Sequence, residues 1–267
     1  MNKAKKTRNL LLTAAIIWVV IAFVCHAADL YRFDLPKELI GRTYGTDIIL
    51  KKDGSLLGRA TTKFEKRYYK GKEFLVITGR SGGTVDKKPF ASEVSRTFLM
   101  DGGKIVPYSI KGTTKTGGKI WTDYFLGFDR EGMTARVTYK DFEKNEAADK
   151  TVALDADMIA IQDLDLYFSS LPVSNISEER LKALLPNGQT FWFLIKMSPQ
   201  PETVTVKGKD IVCRRIELKP DLGLLNIIIP NVNYWVRNEP PYDLVRYSGL
   251  LSGPGSPDVI METVRSE

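Results

Sequence analysis

The chain has 267 residues and a formal net charge of +7, but residues 1–28 hold four basic residues and no acidic one, which leaves 35 Lys and Arg against 32 Asp and Glu. These charges lie in mixed clusters such as KFEKRYYKGKE at 63–73, which are typical of solvated strand faces, so we expect no nucleic-acid partner. The only histidine is His26 and the only later cysteine is Cys213, which excludes His-dependent nucleophilic catalysis and an ordinary zinc site from residues 29–267.

Residues 1–28 have the layout of a secretory signal peptide. The basic segment MNKAKKTR is followed by an apolar run from Leu10 to Cys25 and by the small residues Ala27 and Ala28. We expect cleavage after Ala27 or Ala28 and export, with the periplasm of a Gram-negative cell envelope as the destination. The apolar run is slightly short for a membrane-spanning helix, and an uncleaved anchor is the alternative.

The next part of the chain alternates between strand-forming segments and glycine turns. Asp-Gly, Lys-Gly, Glu-Gly and Gly-Gly pairs supply the positive φ angles of tight hairpins at 52–55, 69–72, 101–103, 116–118 and 130–132. Apolar and polar residues alternate with period two at 56–65 and 133–140, which predicts strands with one solvated face. The pattern predicts a single β-rich domain over residues 29–267, folded as a curved antiparallel half-barrel or meander.

Two inserted helices are predicted at the open side of this half-barrel. Between Asp157 and Ser170, apolar residues recur at spacings of three and four, namely Ile161, Leu164, Phe168 and Leu171, and Pro172 ends the run. A second short helix is expected from Ser177, whose hydroxyl would cap it, until the Pro186-Asn187-Gly188 turn.

Asp163 and Asp165 are the nearest acidic pair for glycosidase chemistry without histidine. Residues two apart on a helix do not share a face, so we interpret this pair as the polar side of the first helix. Cys213, in KDIVCRRIEL, is interpreted as a buried strand cysteine. We therefore expect no catalytic residue, no metal and no cofactor. A carboxylate-dependent enzyme acting on envelope glycans is kept as an alternative.

Strands resume after residue 190. FWFLI at 191–195 is too uniformly apolar for a half-exposed strand, so it must be buried on both faces or line a cavity. NVNYWVRNEPPYDLVRYSG at 231–249 predicts two strands, carrying Trp235 and Val245, with a corner at 239–243 because proline cannot donate to a sheet. Arg237 and Arg246 are expected at the rim of the half-barrel. If the corner has a binding function, these two arginines form its recognition edge.

Several of these segments resemble exported bacterial proteins of domain-of-unknown-function family 3108. The likeness covers roughly residues 44–264 and includes early strands around Gly58, IQDLDLYF at 161–168, a cysteine-bearing strand at 211–218, and YWV at 234–236 followed by LVRY at 244–247. The function of that family is not established. The resemblance implies a curved half-barrel similar to periplasmic lipoprotein carriers, whose concave face holds acyl chains, and fold alone does not assign function.

We therefore expect a non-catalytic cell-envelope protein that binds a hydrophobic ligand in the half-barrel cavity, with a lipid, an acyl chain or a lipoprotein as partner. The candidate cavity or rim residues are Trp121, Tyr124, Phe125, Phe168, Trp192, Trp235, Arg237 and Arg246. For each aromatic residue, ordinary core packing is the competing interpretation. An assembly protein that binds other envelope proteins through a flat apolar patch is the remaining alternative.

Overall fold

A computed structural model describes residues 32–34, 37–85, 87–155, 158–170, 178–221, 231–240, 242–251 and 256–265. The expected signal peptide, Pro172 and Ser177 lie outside these residues. The described residues form 17 strands, one α-helix, α1 (Leu164–Ser170), and two 3-10 turns at Lys37–Leu39 and Ile161–Asp163. Neither α1 nor the turns have the length and apolarity that crossing a bilayer would require, as far as the described ranges go.

The strands are β1 (Phe33–Asp34), β2 (Thr43–Leu50), β3 (Leu56–Tyr69), β4 (Lys72–Val85), β5 (Lys88–Asp101), β6 (Lys104–Thr116), β7 (Lys119–Asp129), β8 (Thr134–Asp141), β9 (Glu146–Ala153), β10 (Met158–Ala160), β11 (Glu178–Leu184), β12 (Thr190–Met197), β13 (Glu202–Val206), β14 (Lys209–Pro220), β15 (Val232–Arg237), β16 (Leu244–Leu250) and β17 (Asp258–Arg265).

These strands form one curved, mostly antiparallel sheet. Strands β2 to β9 pair consecutively, β14 to β17 pair consecutively, and β17 pairs with β2. Both β12 and β13 pair with β14, at different parts of its length, and β11 joins the β12 side. No pairing joins β9 to β10 among the described strands, so the sheet is an open half-barrel. The predicted mainly β, curved antiparallel fold is confirmed.

The main core lies on the concave face, around α1. Its sheet residues come from strands on both sides of the half-barrel, including Phe64, Leu75, Phe98, Ile195, Ile216 and Val236. The helix contributes Leu164, Leu166 and Phe168. The Phe168 side chain is fully buried, with its ring centroid 4.8 Å from that of Tyr234 and 5.8 Å from that of Tyr167. The helix therefore fills one end of the concave face.

A smaller core lies on the opposite face of the sheet, beneath the β13–β14 hairpin. Val204, Val206, Cys213 and Val245 are buried there, and Trp235 packs against them. Because neighbouring strand residues point to opposite faces, Trp235 lies on the convex side whereas Tyr234 packs against the main core. Burial raises the pKa of the Cys213 thiol to about 11, so this cysteine is a protonated core residue, as predicted.

The predicted second helix is wrong. Glu178–Leu184 form β11, which pairs in parallel with β10 and antiparallel with β12. Leu181 and Ala183 are buried in the main core at the spacing of two that a strand requires. The cap signals at the start of this segment are local, and hydrogen bonding to strands on both sides outweighs them. The 186–188 turn joins two strands instead of ending a helix.

The first helical segment is shorter than the period of its apolar residues predicts. Met158–Ala160 are strand, Ile161–Asp163 form a 3-10 turn, and the α-helix begins only at Leu164. The hairpin turns and the corner between β15 and β16 are confirmed, with Trp235 opposite Arg246 in antiparallel register. Sequence patterns thus located the hairpin turns correctly and the first helical segment in part, but they assigned β10 and β11 to helices.

Candidate functional site

Side-chain size changes abruptly along the concave face of β3 to β6. Near α1, one cross-strand row carries large side chains, namely Phe64, Ile77, Arg96 and Ile110. The next two rows are mostly small, consisting of Thr62, Gly79, Val94 and Gly112, and then of Ala60, Ser81, Ser92 and Thr114. Because residues two apart on a strand share a face, the small rows leave space above the sheet.

The backbone in this region also requires glycine. Gly58 of β3 lies opposite Gly83 of β4. A Cβ atom on Gly83 would lie 2.2 Å from the carbonyl oxygen of Leu57, and one on Gly58 would lie 2.4 Å from the carbonyl oxygen of Gly82. Contacts this short force the backbone to move, so the glycine pair is what lets β3 and β4 approach each other at this end.

A cavity of about 560 Å³, called the large cavity below, occupies the space above the small rows. Its volume lies within the ~300–1,000 Å³ of typical small-molecule sites. Its large apolar lining residues include Ile48, Phe90, Val94, Trp121, Leu251 and Met261. The charged residues along it are Arg80 and Lys88, and no Asp or Glu is among the described residues that line it.

Two buried polar atoms along the large cavity have no hydrogen-bond partner among the described residues. They are the indole Nε1 of Trp121 and the hydroxyl oxygen of Thr116. Deeper in the cavity, the hydroxyls of Ser92 and Thr114 lie 3.3 Å apart and bond to each other. Since buried polar groups are almost always paired, the first two atoms lack the partner that such groups ordinarily have.

A second cavity of about 220 Å³, the small cavity, adjoins the large one beside α1. Ala60, Thr62 and Met261 line both cavities, so the two spaces lie next to each other along one wall. The small cavity also contacts Leu166 and the carboxylate-bearing Asp165 from the helix. An elongated ligand in the large cavity would therefore point towards α1.

Arg96 anchors α1 to β5 through a buried ion-pair cluster. Its two terminal nitrogens donate to the two oxygens of Asp165 at 2.5 and 2.9 Å, and one also donates to the carbonyl oxygen of Gln162 at 2.5 Å. The Asp163 carboxyl lies 3.5 Å from the guanidinium. Burial opposes the charge of Arg96, but the carboxylates of Asp165 and Asp163 outweigh burial and raise its pKa above the ordinary value.

The interpretation of Asp163 and Asp165 as a solvated polar side is wrong. Asp163 is fully buried, and the side chain of Asp165 is only 32% exposed. The spacing rule for helices does not apply to this pair, because Asp163 belongs to the 3-10 turn and Asp165 to the first turn of α1. Both carboxyls face Arg96. Burial raises the pKa of Asp163 to about 7, the Asp165 carboxylate adds to that shift, and Arg96 opposes it.

Asp163→Asn is expected to remove a pH dependence of folding. In the unfolded chain this carboxyl ionises near its ordinary pKa of 3.8, whereas the folded protein holds the proton to about pH 7. Between these values the folded state binds more protons, so the free energy of unfolding falls as the pH rises, by roughly 4 kcal/mol. Asparagine mimics the protonated form, so the variant should match the wild type near pH 4 and exceed it above pH 7.

Urea unfolding of both proteins between pH 4 and pH 8 measures this difference, and the comparison cancels the titration of all other groups. Asp149→Asn is the control, because Asp149 is 67% exposed and pairs with Arg136 at 3.8 Å. Its difference from wild type should stay constant with pH. Parallel curves for Asp163→Asn and wild type would show that the pKa of this carboxyl is the same in the folded and unfolded states.

The carboxyl groups near α1 differ in their access to the small cavity. A reacting carboxyl must contact its substrate, and Asp163 has no exposed surface. The two carboxylates of the small cavity are each held by an arginine, Asp165 by Arg96 and Asp243 by Arg237 at 3.0 Å. No group of three or more acidic, Cys or His side chains among the described residues is arranged to hold a metal ion.

The structure places three of the predicted aromatic residues on the concave side. Trp121 lines the large cavity. The Tyr124 hydroxyl accepts a hydrogen bond from Gln162 Nε2 at 3.4 Å, and burial raises its pKa to about 12, so this residue belongs to the surroundings of the Arg96 cluster. Phe168 lies in the main core and lines neither cavity.

The other predicted site residues lie away from the large cavity. Phe125 is 40% exposed, on the face opposite buried Leu126. Trp192 stacks beneath Arg180, whose guanidinium carbon is 5.0 Å from the ring centroid. Trp235 Nε1 donates to Glu202 in the convex core.

The two predicted rim arginines are also engaged elsewhere. Arg237 donates to Asp243, and Arg246 donates to Glu262 and to the carbonyl oxygen of Thr205 at 2.7 Å. Neither lines a described cavity. Prediction by residue type alone missed Thr116, Lys88 and Phe90. A usable signal was the run of small residues in TGRSGGTV at 78–85, which leaves the space that these residues line.

No protein-family model matches the chain, and no curated protein sequence matches it. Among solved structures, the chain is similar to a beta-barrel-like protein of domain-of-unknown-function family 1849 from Brucella abortus, with 10% identity and a TM-score of 0.49 over 86% of this chain and 97% of that chain. The resemblance to family 3108 and to periplasmic lipoprotein carriers is not confirmed by these comparisons. The half-barrel description rests on the strand pairings given above.

Proposed function

We propose that the protein is a non-catalytic binding protein that holds a hydrophobic ligand, a lipid or an acyl chain, in the large cavity. The observation that supports this most directly is the change in side-chain size on the concave face. A half-barrel that served only as a scaffold would gain stability by filling this face, because apolar burial stabilises a fold by about 25 cal/mol per Å². Small residues in two adjacent rows instead keep a mostly apolar space open.

We also propose that the protein works in the cell envelope. The support is the sequence of residues 1–28, in which a basic segment precedes an apolar run and small residues. A lipid ligand fits this location, since an apolar chain must be shielded from water when it moves between membranes.

Native mass spectrometry of the protein purified without detergent, followed by solvent extraction of what it carries, tests the proposal. A stoichiometric lipid or acyl species bound to the protein is the expected result. Protein at its calculated mass, still bare after incubation with lipids of the envelope, would contradict the binding function and favour an assembly role. The same mass spectrum measures where the N-terminal segment is cut.

Filling the large cavity should abolish binding. Ser92→Leu adds a branched side chain to the middle of the second small row, so we expect the affinity for a bound lipid to fall at least tenfold while the fold is retained. Fluorescence displacement of a lipid probe measures this affinity. Ser95→Leu is the matched control, because Ser95 lies on the other face of the same strand, and it should bind as the wild type does. Equal affinities of the two variants would contradict the assigned cavity.

A further inference from the structure

We propose that the ligand of the large cavity is an acyl chain that ends in an anionic head, and that Trp121 Nε1, the Thr116 hydroxyl and the Lys88 ammonium bind this head. The proposal rests on the proposed function and adds the chemical class of the ligand. The shared chemistry is a chain with a carboxylate or phosphate end, which a free fatty acid or a lysophospholipid would supply.

The three donors come from neighbouring strand ends. Thr116 pairs with Phe90, two residues after Lys88, which begins β5. The amide of Gly117 donates to the carbonyl oxygen of Pro89 at 2.8 Å, which holds the end of β6 against the start of β5. Trp121 follows the β6–β7 hairpin that begins directly after Thr116. All three residues line the same cavity, at the end of the sheet where β5 begins and β6 ends.

These groups share one preference, for an acceptor. The indole N–H of Trp121 and the ammonium of Lys88 can only donate, and the Thr116 hydroxyl can donate as well. The indole and hydroxyl atoms are buried without a partner among the described residues, so a ligand acceptor that reached either atom would satisfy a group that otherwise lacks a hydrogen bond.

The charged side chains along the two cavities differ in their pairing. The described lining of the large cavity includes Arg80 and Lys88 but no carboxylate. Arg80 already pairs with Glu93 at 3.2 Å, which leaves Lys88 as the cation assigned to the head. The carboxylates of the small cavity, Asp165 and Asp243, are each paired with an arginine. An anionic head is therefore attracted to the Lys88 end.

The position of Lys88 orients the acyl chain of the ligand. With the head group at Lys88, the acyl chain runs over Phe90 and Val94 to Met261, which also lines the small cavity. Its methyl end then approaches Leu166 of α1, beside the main core. An alkane would leave the indole and hydroxyl of the large cavity unsatisfied, and a neutral ester or alcohol would offer an acceptor but no charge to the Lys88 ammonium.

Isothermal titration of the purified, delipidated protein with palmitate, hexadecanol and methyl palmitate tests the proposal. These probes share one chain and differ in the head. We expect palmitate to bind at least about tenfold more tightly than the two neutral probes, because hydrogen bonds to charged groups are stronger than neutral ones. Palmitoyl lysophosphatidylglycerol, measured in parallel, distinguishes the two sources, since tighter binding than palmitate identifies a phosphate head and weaker binding identifies a carboxylate.

Three conservative variants locate the head. Trp121→Phe, Thr116→Val and Lys88→Gln should each weaken palmitate binding about fivefold to tenfold, and Lys88→Gln should leave hexadecanol binding unchanged. Trp192→Phe is the matched control, because Trp192 lies under Arg180 away from the cavity, and it should have no effect. Circular dichroism confirms that each variant is folded.

The outcomes separate this inference from the function on which it rests. Equal affinity for all three probes, unchanged in the three variants, would overturn the anionic head and keep a hydrophobic-ligand site. Binding of none of the probes or of the lysophospholipid would overturn the proposed function itself, and this inference with it.

Discussion

Phe168→Ala should lower the free energy of unfolding by about 3–5 kcal/mol and leave ligand affinity unchanged. The ring is fully buried in the main core and packs at a steep angle against Tyr167 and Tyr234, so its removal leaves an empty space between α1 and the sheet. Phe168 lines neither cavity. Urea unfolding and a lipid-displacement titration of the same protein measure the two quantities.

Phe125→Ala is the matched control for this variant. Phe125 is 40% exposed on the convex face, so the same truncation there should change stability by less than about 1 kcal/mol. If Phe168→Ala instead kept the stability of the wild type and lost ligand binding, the residue would belong to the site, as its inclusion among the sequence candidates supposed.

Arg96→Met should have an effect of similar size, for a different reason. Removing the guanidinium leaves Asp163 buried and Asp165 half-buried without their cation, and breaking a buried ion pair in this way costs about 3–5 kcal/mol. The bond from Arg96 to the carbonyl oxygen of Gln162 is lost too, so the link between β5 and the segment that leads into α1 disappears. Chemical unfolding at pH 7 measures the loss.

Two further variants test this explanation. Arg136→Met breaks a pair with Asp149 in which both side chains are about 70% exposed, and it should cost less than about 1 kcal/mol. Adding Asp163→Asn and Asp165→Asn to Arg96→Met should recover part of the stability, because no uncompensated carboxylate then remains. Equal losses for Arg96→Met and Arg136→Met would mean that the buried cluster is no stronger than a surface pair.

The Arg96 cluster also connects stability with the proposed binding site. Asp165, held by Arg96, lines the small cavity next to Leu166, and the small cavity adjoins the large one at Met261. In the proposed function, the position of α1 sets how far the acyl chain extends. A helix released by Arg96→Met would change the depth of the site as well as the stability of the fold.

Elements governed by local chemistry were predicted correctly. Glycine pairs set the hairpin turns, period-two alternation marked β3 and β8, and the prolines near 240 marked the corner between β15 and β16. Each signal depends on the backbone preferences of a few adjacent residues. The segment from Glu178 is the counterexample, because its cap signals are just as local, yet pairing with β10 and β12 makes it a strand.

The sequence by itself determined that this protein is a mostly β chain of antiparallel hairpins. After residue 28 it has no histidine and one cysteine, Cys213, which is too few for common catalytic and metal sites. Only the tertiary structure decided which face each residue occupies. Trp121 reaches the large cavity whereas Trp192 and Trp235 lie on the other side, and Asp163 and Asp165 meet at Arg96, more than 60 residues earlier in the chain. Strand register and sheet curvature fix these contacts, and both depend on pairings between segments that are distant in sequence.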